Sequence, residues 1–529
     1  MKKFISSLIA ILAVTNLQAQ QQIPKLVVYI TVDQLRGDYI EYFYHTFGEH
    51  GFKRLMNEGA VYHNLRFEFS NVDQASAFAT LFTGTNPCTH GITGNKRYDF
   101  KQLKEVSALF DAEYLGNFTR ENYSPGKLLA STIGDELKIA SKGQSEVYAI
   151  APDPESAIIS AGHAANGAFW IDDSNGKWAT TTYYKGIPWY IEKYNNSHES
   201  LSVRIDAMNW RPALQMEQYT ALPYVQEKIP FNYTFKSKTV NCYPRIKSSP
   251  FGNKEVNRLL AQFLEYGAFG TRSCPDMLAL TYYAGSYFDN MSKEYTREIQ
   301  DLYIQLDKDI EELLHVLDKK AGLKNTLIVL SGTGYFKSEE EYPENLPPTG
   351  GEFHPKRCTA LLNMYLMALY GQKNWVEGFY NNQIYLNRKA IEDEKLDLTA
   401  FQKKAAEFLS EFSGVAGITT DMTLRSGVWN ESMADFQRGT HRAGRGDLII
   451  SLQPGWRLNY EQPNEKVRQI RNNAVQTPLI FMGNGIQPQH IYREVKATEI
   501  APTVTHVLRI RPPNACNDYP LHEICKTKK

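Results

Sequence analysis

Past residue 19 the chain lacks any apolar run long enough to cross a bilayer, which takes about 20 residues. It also lacks an excess of charge: Lys and Arg number 58 and Asp and Glu number 58. That balance argues against nucleic acid as a general partner, since a polyanion demands a basic face. Cysteine is sparse, with six in 529 residues, and none are spaced as CxxC or as a zinc finger, which argues against a thiol redox centre or a cysteine-held metal. There is no internal repeat and no low-complexity tail.

What the chain does have begins with an export signal. Lys2 and Lys3 precede the largely apolar Phe4–Val14, and Leu17-Gln18-Ala19 offers a small-residue cleavage site before Gln20. Residues 1–19 are therefore read as a cleaved signal peptide, and the mature protein as periplasmic or secreted, with no membrane-spanning segment after cleavage. An even number of cysteines in an exported chain suggests disulfides. Spacing alone does not choose the pairing, but Cys516 and Cys525 lie close enough to close the tail 516–529. Asn-x-Ser/Thr sequons include those starting at Asn117, Asn122, Asn232, Asn290 and Asn430.

Apolar runs at 26–32, 147–151, 277–281, 326–331 and 478–482 read as core strands. Between them lie amphipathic helices, clearest over 295–318, where Ile299, Leu302, Leu306, Ile310, Leu313 and Leu317 recur at helical steps. Strands alternating with helices imply an α/β fold with a mostly parallel central sheet and helices on both faces. Two stretches break the rhythm. Residues 165–250, rich in Tyr, Trp, Pro and Asn, read as an inserted β-rich or irregular lobe, either packed over the sheet or serving as a partner surface. Residues 335–425 carry the acidic Glu339-Glu340-Glu341, the loop Pro347-Pro348-Thr349-Gly350-Gly351 and a small α/β cap. Between the signal and the tail, 20–515 forms one large unit.

The chemistry-bearing signal is Asp33, a carboxylate closing the strand Leu26–Val32. Ligands and metals gather at the carboxyl ends of strands in wound sheets, and a hydrolytic metal site draws ligands from several such ends. The segment Thr31-Val32-Asp33-Gln34-Leu35-Arg36-Gly37-Asp38-Tyr39 resembles the opening of the alkaline phosphatase superfamily. It is most similar to the periplasmic, phosphate-irrepressible alkaline phosphatases, relatives of the type I phosphodiesterase/nucleotide pyrophosphatases. The likeness continues through Gly51–Gly59, Phe82-Thr83-Gly84, His90–Asn95, Gly167–Trp170, Pro250–Asn253, Leu317–Lys320 and Ile500–Val504, over roughly 25–515.

The resemblance implies an alkaline phosphatase-like fold and, in working members, two zinc ions held by Asp and His with a Thr or Ser nucleophile that forms a phospho-enzyme. Carried over position by position, most of that set is absent. Asp33 keeps the first metal-ligand position. The nucleophile position falls on Gln74, whose amide is no nucleophile for phosphorus. The remaining ligand positions fall on Tyr282, Ser286, Thr333, Gly334 and Gln476. Asn95 keeps a phosphate-binding position, while the Lys and Arg that would grip phosphate fall on Asp153 and Glu155. Two acids there would repel a phosphate dianion.

The reading that follows is a catalytically inactive alkaline phosphatase-like protein, with no cofactor, that binds another envelope protein or a small ligand in the old cleft. The alternative is a metal-dependent phosphomonoester or phosphodiester hydrolase with a rebuilt site. There Asp33, Asp153 and Glu155 would hold zinc or another divalent cation such as Ca²⁺ or Mg²⁺ through oxygen ligands, and Ser76 or Thr80 beside Asp73 would supply a hydroxyl. A third alternative is a structural subunit of an envelope assembly. His90, His163, His354 and His441 read as structural or surface residues, and Arg445-Gly446-Asp447 as a turn before the strand Leu448–Ile450.

Overall fold

Asp33 ends an eight-residue strand, β1 (Leu26–Asp33), in which every residue is buried. A run of Leu, Val, Tyr, Ile and Thr with no polar face suits a strand covered on both sides, as in the middle of a parallel sheet. The computed structural model describes residues 22–99, 104–221, 230–288, 296–337, 350–427, 430–461, 468–469 and 475–525. The expected signal peptide, the Glu339–Glu341 run, Pro347–Thr349 and the sequon at Asn290 lie outside the described residues.

Nine further strands complete the central sheet. In chain order the main ones are β2 (Ala60–Arg66), β3 (Val147–Ala151), β4 (Gly167–Ile171), β5 (Trp178–Thr181), β6 (Asp276–Tyr283), β7 (Thr326–Gly332), β8 (Thr477–Gly483) and β9 (Gln489–Lys496). Their spatial order is β9-β2-β8-β7-β1-β6-β3-β4-β5, with the short Gly116–Asn117 on the outer edge of β5. The five strands β7-β1-β6-β3-β4 are parallel. β8 runs antiparallel to both β7 and β2.

Helices cover both faces. One apolar cluster joins Val28, Ile30, Leu259, Phe263, Leu306 and Leu313; the other joins Val27, Tyr29, Phe78, Phe82, Ile158 and Val504. Alternate residues of β1 thus feed opposite cores, as the two-residue repeat of a strand requires. The helices that matter most for the site are α1 (Gln74–Thr83), α2 (Pro154–Ala161), α3 (Pro250–Tyr266) and α4 (Arg297–Lys320). The α/β architecture expected from the sequence, a mostly parallel central sheet with helices on both faces, is therefore present.

Three local expectations change. The stretch read as an inserted lobe from 165 gives its first two strands, β4 and β5, to the central sheet. The remainder is mainly short helices (Trp189–Asn195, Leu201–Arg204, Cys242–Lys247) with one small antiparallel pair, Asn209–Trp210 and Tyr233–Thr234. Aromatic bulk there serves packing, since Trp178, Tyr190, Trp210 and Tyr243 all enter the first core. The second α/β piece is a four-stranded sheet ordered Val376–Tyr380, Gln383–Leu386, Leu448–Leu452, Val415–Thr420. Its third strand lies beyond the expected end at 425, because pairing across a sheet is not visible along the chain. Third, the expected Cys516–Cys525 closure is absent: all six cysteines are free thiols. The Cys516 thiol turns toward the Asp518 carbonyl at 3.8 Å, while Cys525 ends a short helix that packs on the second core.

Candidate active-site cleft

The ends of β1, β6 and β7 meet because register brings Asp33 opposite Tyr283 and Val32 opposite Gly332. Thr333 follows directly. Its hydroxyl donates to Asp33 Oδ1 at 3.1 Å and accepts the Gln34 backbone N–H at 2.8 Å. Gln34 sits at φ 61°, a left-handed turn that any side chain beyond glycine adopts only under local constraint. Its Oε1 accepts the Lys337 N–H at 2.8 Å, tying the turn after β1 to the segment after β7.

Helix α1 brings Gln74, the residue expected at the nucleophile position, to the same point. Asp73 caps it, accepting the Ser76 N–H at 3.1 Å, with Ser76 bonding back to the Asp73 N–H at 3.0 Å, a reciprocal capping box. Gln74 then projects over the strand ends. Its Nε2 donates to Asp33 Oδ2 at 3.2 Å and to Asp153 Oδ2 at 3.4 Å. Tyr335 donates its hydroxyl to Asp33 Oδ2 at 3.1 Å. The Asp33 carboxylate is thus held by three neutral donors: an amide and two hydroxyls.

Asp153 precedes α2, and its second oxygen accepts from Lys247 Nζ at 3.1 Å. The same ammonium meets Asp173 at 2.7 Å. Lys247 is 8% exposed. Burial works to neutralise it, but Asp153 and Asp173 outweigh that and hold it well above its ordinary value. Burial raises Asp33 to about 6, the Tyr335 hydrogen bond opposes it, and the Asp153 charge adds to the rise. Burial and then Asp153 raise Glu155 to about 7. The cleft is an acidic, hydrogen-bonded cluster with one cation already committed to two carboxylates.

The other predicted positions divide. Thr333 joins the cluster. Gly334, at φ 70°, passes so close to the Phe67 ring that a Cβ would lie 2.2 Å from it, so no larger side chain fits there. Tyr282 points to the helical face and donates to Asn257 Oδ1 at 2.5 Å. The Ser286 carbonyl accepts from the Tyr283 hydroxyl at 2.7 Å. Gln476 donates to the His63 carbonyl at 3.0 Å, and its own carbonyl accepts the Gly37 N–H at 2.8 Å. Asn95 is spent on structure, its Oδ1 accepting the Ala75 N–H at 2.8 Å. Ser76, fully buried, donates to Asp73 Oδ1 at 2.8 Å, and Thr80 donates to the Ser76 carbonyl at 2.9 Å. Neither hydroxyl is presented to the cleft. His90 is buried and pushed down to about 3 by that burial, and it contacts Thr80 at 3.2 Å.

Lys247 and Tyr335 were missed from sequence. Lys247 stands three residues before the matched Pro250–Asn253, and Tyr335 directly follows a position read as a lost ligand. In each case a polar neighbour of a matched block was the only signal. A catalytic zinc needs three or four converging His, Cys or carboxylate donors. Among the described residues no group of three such side chains converges, and both Asp33 oxygens already accept hydrogen bonds. This donor set does not fit a zinc pair.

The type I phosphodiesterase / nucleotide pyrophosphatase family model matches residues 27–475. The chain is 28% identical to the alkaline phosphatase PafA of Elizabethkingia meningoseptica, over 99% of each chain. It is 28% identical to the alkaline phosphatase PhoV of Synechococcus elongatus, over 93% of this chain and 91% of that one. The crystal structure of wild-type PafA superposes with a TM-score of 0.81 at 27% identity, covering 95% of this chain and 99% of the other.

Proposed function

Because the chain belongs to the type I phosphodiesterase / nucleotide pyrophosphatase family, we propose that it is a member whose phosphoryl-transfer site has been converted into a binding cleft. One observation carries this reading: the Gln74 amide, at the nucleophile position, donates to Asp33 instead of attacking anything. A carboxamide has no ionisable proton and does not become a nucleophile beside a carboxylate. Around it, the cationic clamp is replaced by Asp153 and Glu155, with Lys247 neutralised by Asp153 and Asp173. Fold and activity are separable, and a retained scaffold with this cluster suits recognition. On this reading the protein works in the periplasm or outside the cell, against another envelope protein or a small polar ligand and not nucleic acid. No helix among the described residues is long and apolar enough to cross a membrane.

The test is a metal analysis combined with turnover of p-nitrophenyl phosphate and bis-p-nitrophenyl phosphate. The expected outcome is substoichiometric zinc and no turnover. Stoichiometric zinc, with turnover that disappears in Asp33→Ala, overturns the proposal.

A second reading, a hydrolase with a rebuilt metal site, is favoured by one contact: Asp33 and Asp153 accept from the same Gln74 nitrogen, so the two carboxylates face one another. A hard cation displacing that amide would find oxygen donors. Turnover that depends on added Ca²⁺ or Mg²⁺ and is lost in both Asp33→Asn and Asp153→Asn establishes this reading.

A further inference from the structure

Donors and acceptors in the Asp33 cleft do not balance. Apart from the neutral Asn95 amide and Lys337 at the exposed rim, the donors are committed. The Gln74 amide nitrogen donates to Asp33 and Asp153, Thr333 and Tyr335 donate to Asp33, and Lys247 donates to Asp153 and meets Asp173. Backbone N–H groups at the start of a helix are ready receivers of an anion, but those of α1 are taken from within. Asn95 Oδ1 accepts the Ala75 N–H, and Asp73 Oδ1 accepts the Ser76 N–H. Acceptors remain. Gln74 is 8% exposed, and its Oε1 has no partner among the described residues. A buried amide oxygen without a donor carries the desolvation cost of a bond it does not make. Glu155, in the first turn of α2, draws only on its own backbone N–H while it feels the charges of Asp153 and Asp73. Charge is lopsided in the same sense: Asp33, Asp73, Asp153, Glu155 and Asp173 are set against Lys247 and Lys337.

Resting on the reading of this cleft as a binding site, we propose that its ligand is an aliphatic amine in its ammonium form, with a diamine preferred over a monoamine. An ammonium brings three N–H donors and no acceptor, the complement of Gln74 Oε1 and the Glu155 and Asp153 carboxylates. The protein shows the mode with its own side chain: Lys247 Nζ, on a side chain 8% exposed, lies 3.1 Å from Asp153 and 2.7 Å from Asp173. Carboxylates outnumber ammonium groups by more than one, so a second positive charge on the ligand is also used. A guanidinium asks for both oxygens of one carboxylate in a fork. The oxygens of Asp33 and of Asp153 are already divided between other donors. A phosphate or carboxylate ligand would meet acids, with the inner cation Lys247 already paired.

The test is calorimetric titration of 1,4-diaminobutane into the full-length protein at about 0.15 M salt, with zinc content and turnover of p-nitrophenyl phosphate measured on the same preparation. One diamine bound saturably, with a Kd below about 1 mM, is expected, tighter than 1-aminobutane and with no binding of inorganic phosphate. The near-isosteric Glu155→Gln and Asp153→Asn should each weaken it about tenfold or more, as the loss of a charged hydrogen bond does. Glu392→Gln, which removes an exposed acid outside the cleft, should leave it unchanged. No saturable diamine binding, phosphate bound more tightly than the diamine, or binding unaltered in both Glu155→Gln and Asp153→Asn overturns the proposal. The two failures are distinct: no amine binding and no turnover removes this ligand class alone, whereas stoichiometric zinc with turnover removes the binding-cleft reading and this proposal with it.

Discussion

Lys247 is the residue on which the cleft's charge balance rests. It replaces two solvation shells with Asp153 and Asp173, and losing it leaves Asp153 with only the Gln74 amide. Breaking one side of a covered pair costs more than the pair is worth, because the remaining charge stays desolvated. Lys247→Met is therefore expected to destabilise the fold by about 2 kcal/mol, reduced from the fully buried case by the exposure of both carboxylates. Asp153→Asn in the same chain should recover a good part of that, which a double-mutant cycle by chemical denaturation measures. Asp309 on α4 tests the opposite situation, a carboxyl buried without a partner for Oδ2. Burial raises it to about 8, with Lys254 opposing. Between the unfolded value near 4 and that folded value, the native chain holds the extra proton, so stability falls as pH rises through this window. Asp309→Asn should then stabilise the protein at pH 8 to 9 by on the order of 3 kcal/mol, and the gain should vanish toward pH 4. Melting curves of the two proteins at both ends of the window check the sign.

At the scale of elements, α4 acts as the anchor for the aromatic segment that precedes it. Asp301, fully buried on that helix, accepts from the Trp210 indole at 2.6 Å, the Ala213 N–H at 2.6 Å, the Tyr219 hydroxyl at 2.5 Å and Gln305 at 2.5 Å. One carboxylate thus satisfies four donors, three of them on a segment with little regular structure. Asp301→Ala leaves those donors buried without a partner, and each lost bond to a charged group is worth about 1.5–3 kcal/mol. The expected result is local release of 208–220, seen as new proteolytic cleavage and faster amide exchange there before any change at β1. Cleavage first in the central sheet would show that the segment is held by its aromatic packing instead.

For the whole molecule, the cores define the units. The sheet of Val376–Tyr380, Gln383–Leu386, Leu448–Leu452 and Val415–Thr420 has its own apolar cluster around Trp375, Leu362, Phe401 and Ile450. Its links to the main body are mostly polar: Tyr380 donates to the Lys96 carbonyl, the Ser70 N–H to the Asp435 carbonyl and Arg438 to the Glu68 carbonyl, Arg66 pairs with Glu431 at 3.9 Å, and Tyr98 stacks on Tyr385 at 4.4 Å. Separate cores joined by mostly polar contacts unfold as separate cooperative units. Guanidinium denaturation should give two transitions, and Trp375→Phe should reduce the fluorescence change of one, which Trp456 on the same core shares, while leaving the other, reported by Trp170, Trp178 and Trp210, in place. The sequence by itself determined the strands of the parallel core, because β1, β3, β6 and β7 are apolar runs whose type does not depend on their neighbours. It also raised, through a family resemblance, the expectation that Gln74, Asp153 and Glu155 occupy positions of a nucleophile and two cations. Only the tertiary structure decided which residues meet. Lys247 reaches Asp153 across 94 positions and Tyr335 reaches Asp33 across 302, Leu448–Leu452 completes the second sheet, and Cys516 and Cys525 turn to different partners. Composition and periodicity report local preference. Which oxygen faces which nitrogen is set by strand register and helix placement, and those are fixed by packing over the whole chain.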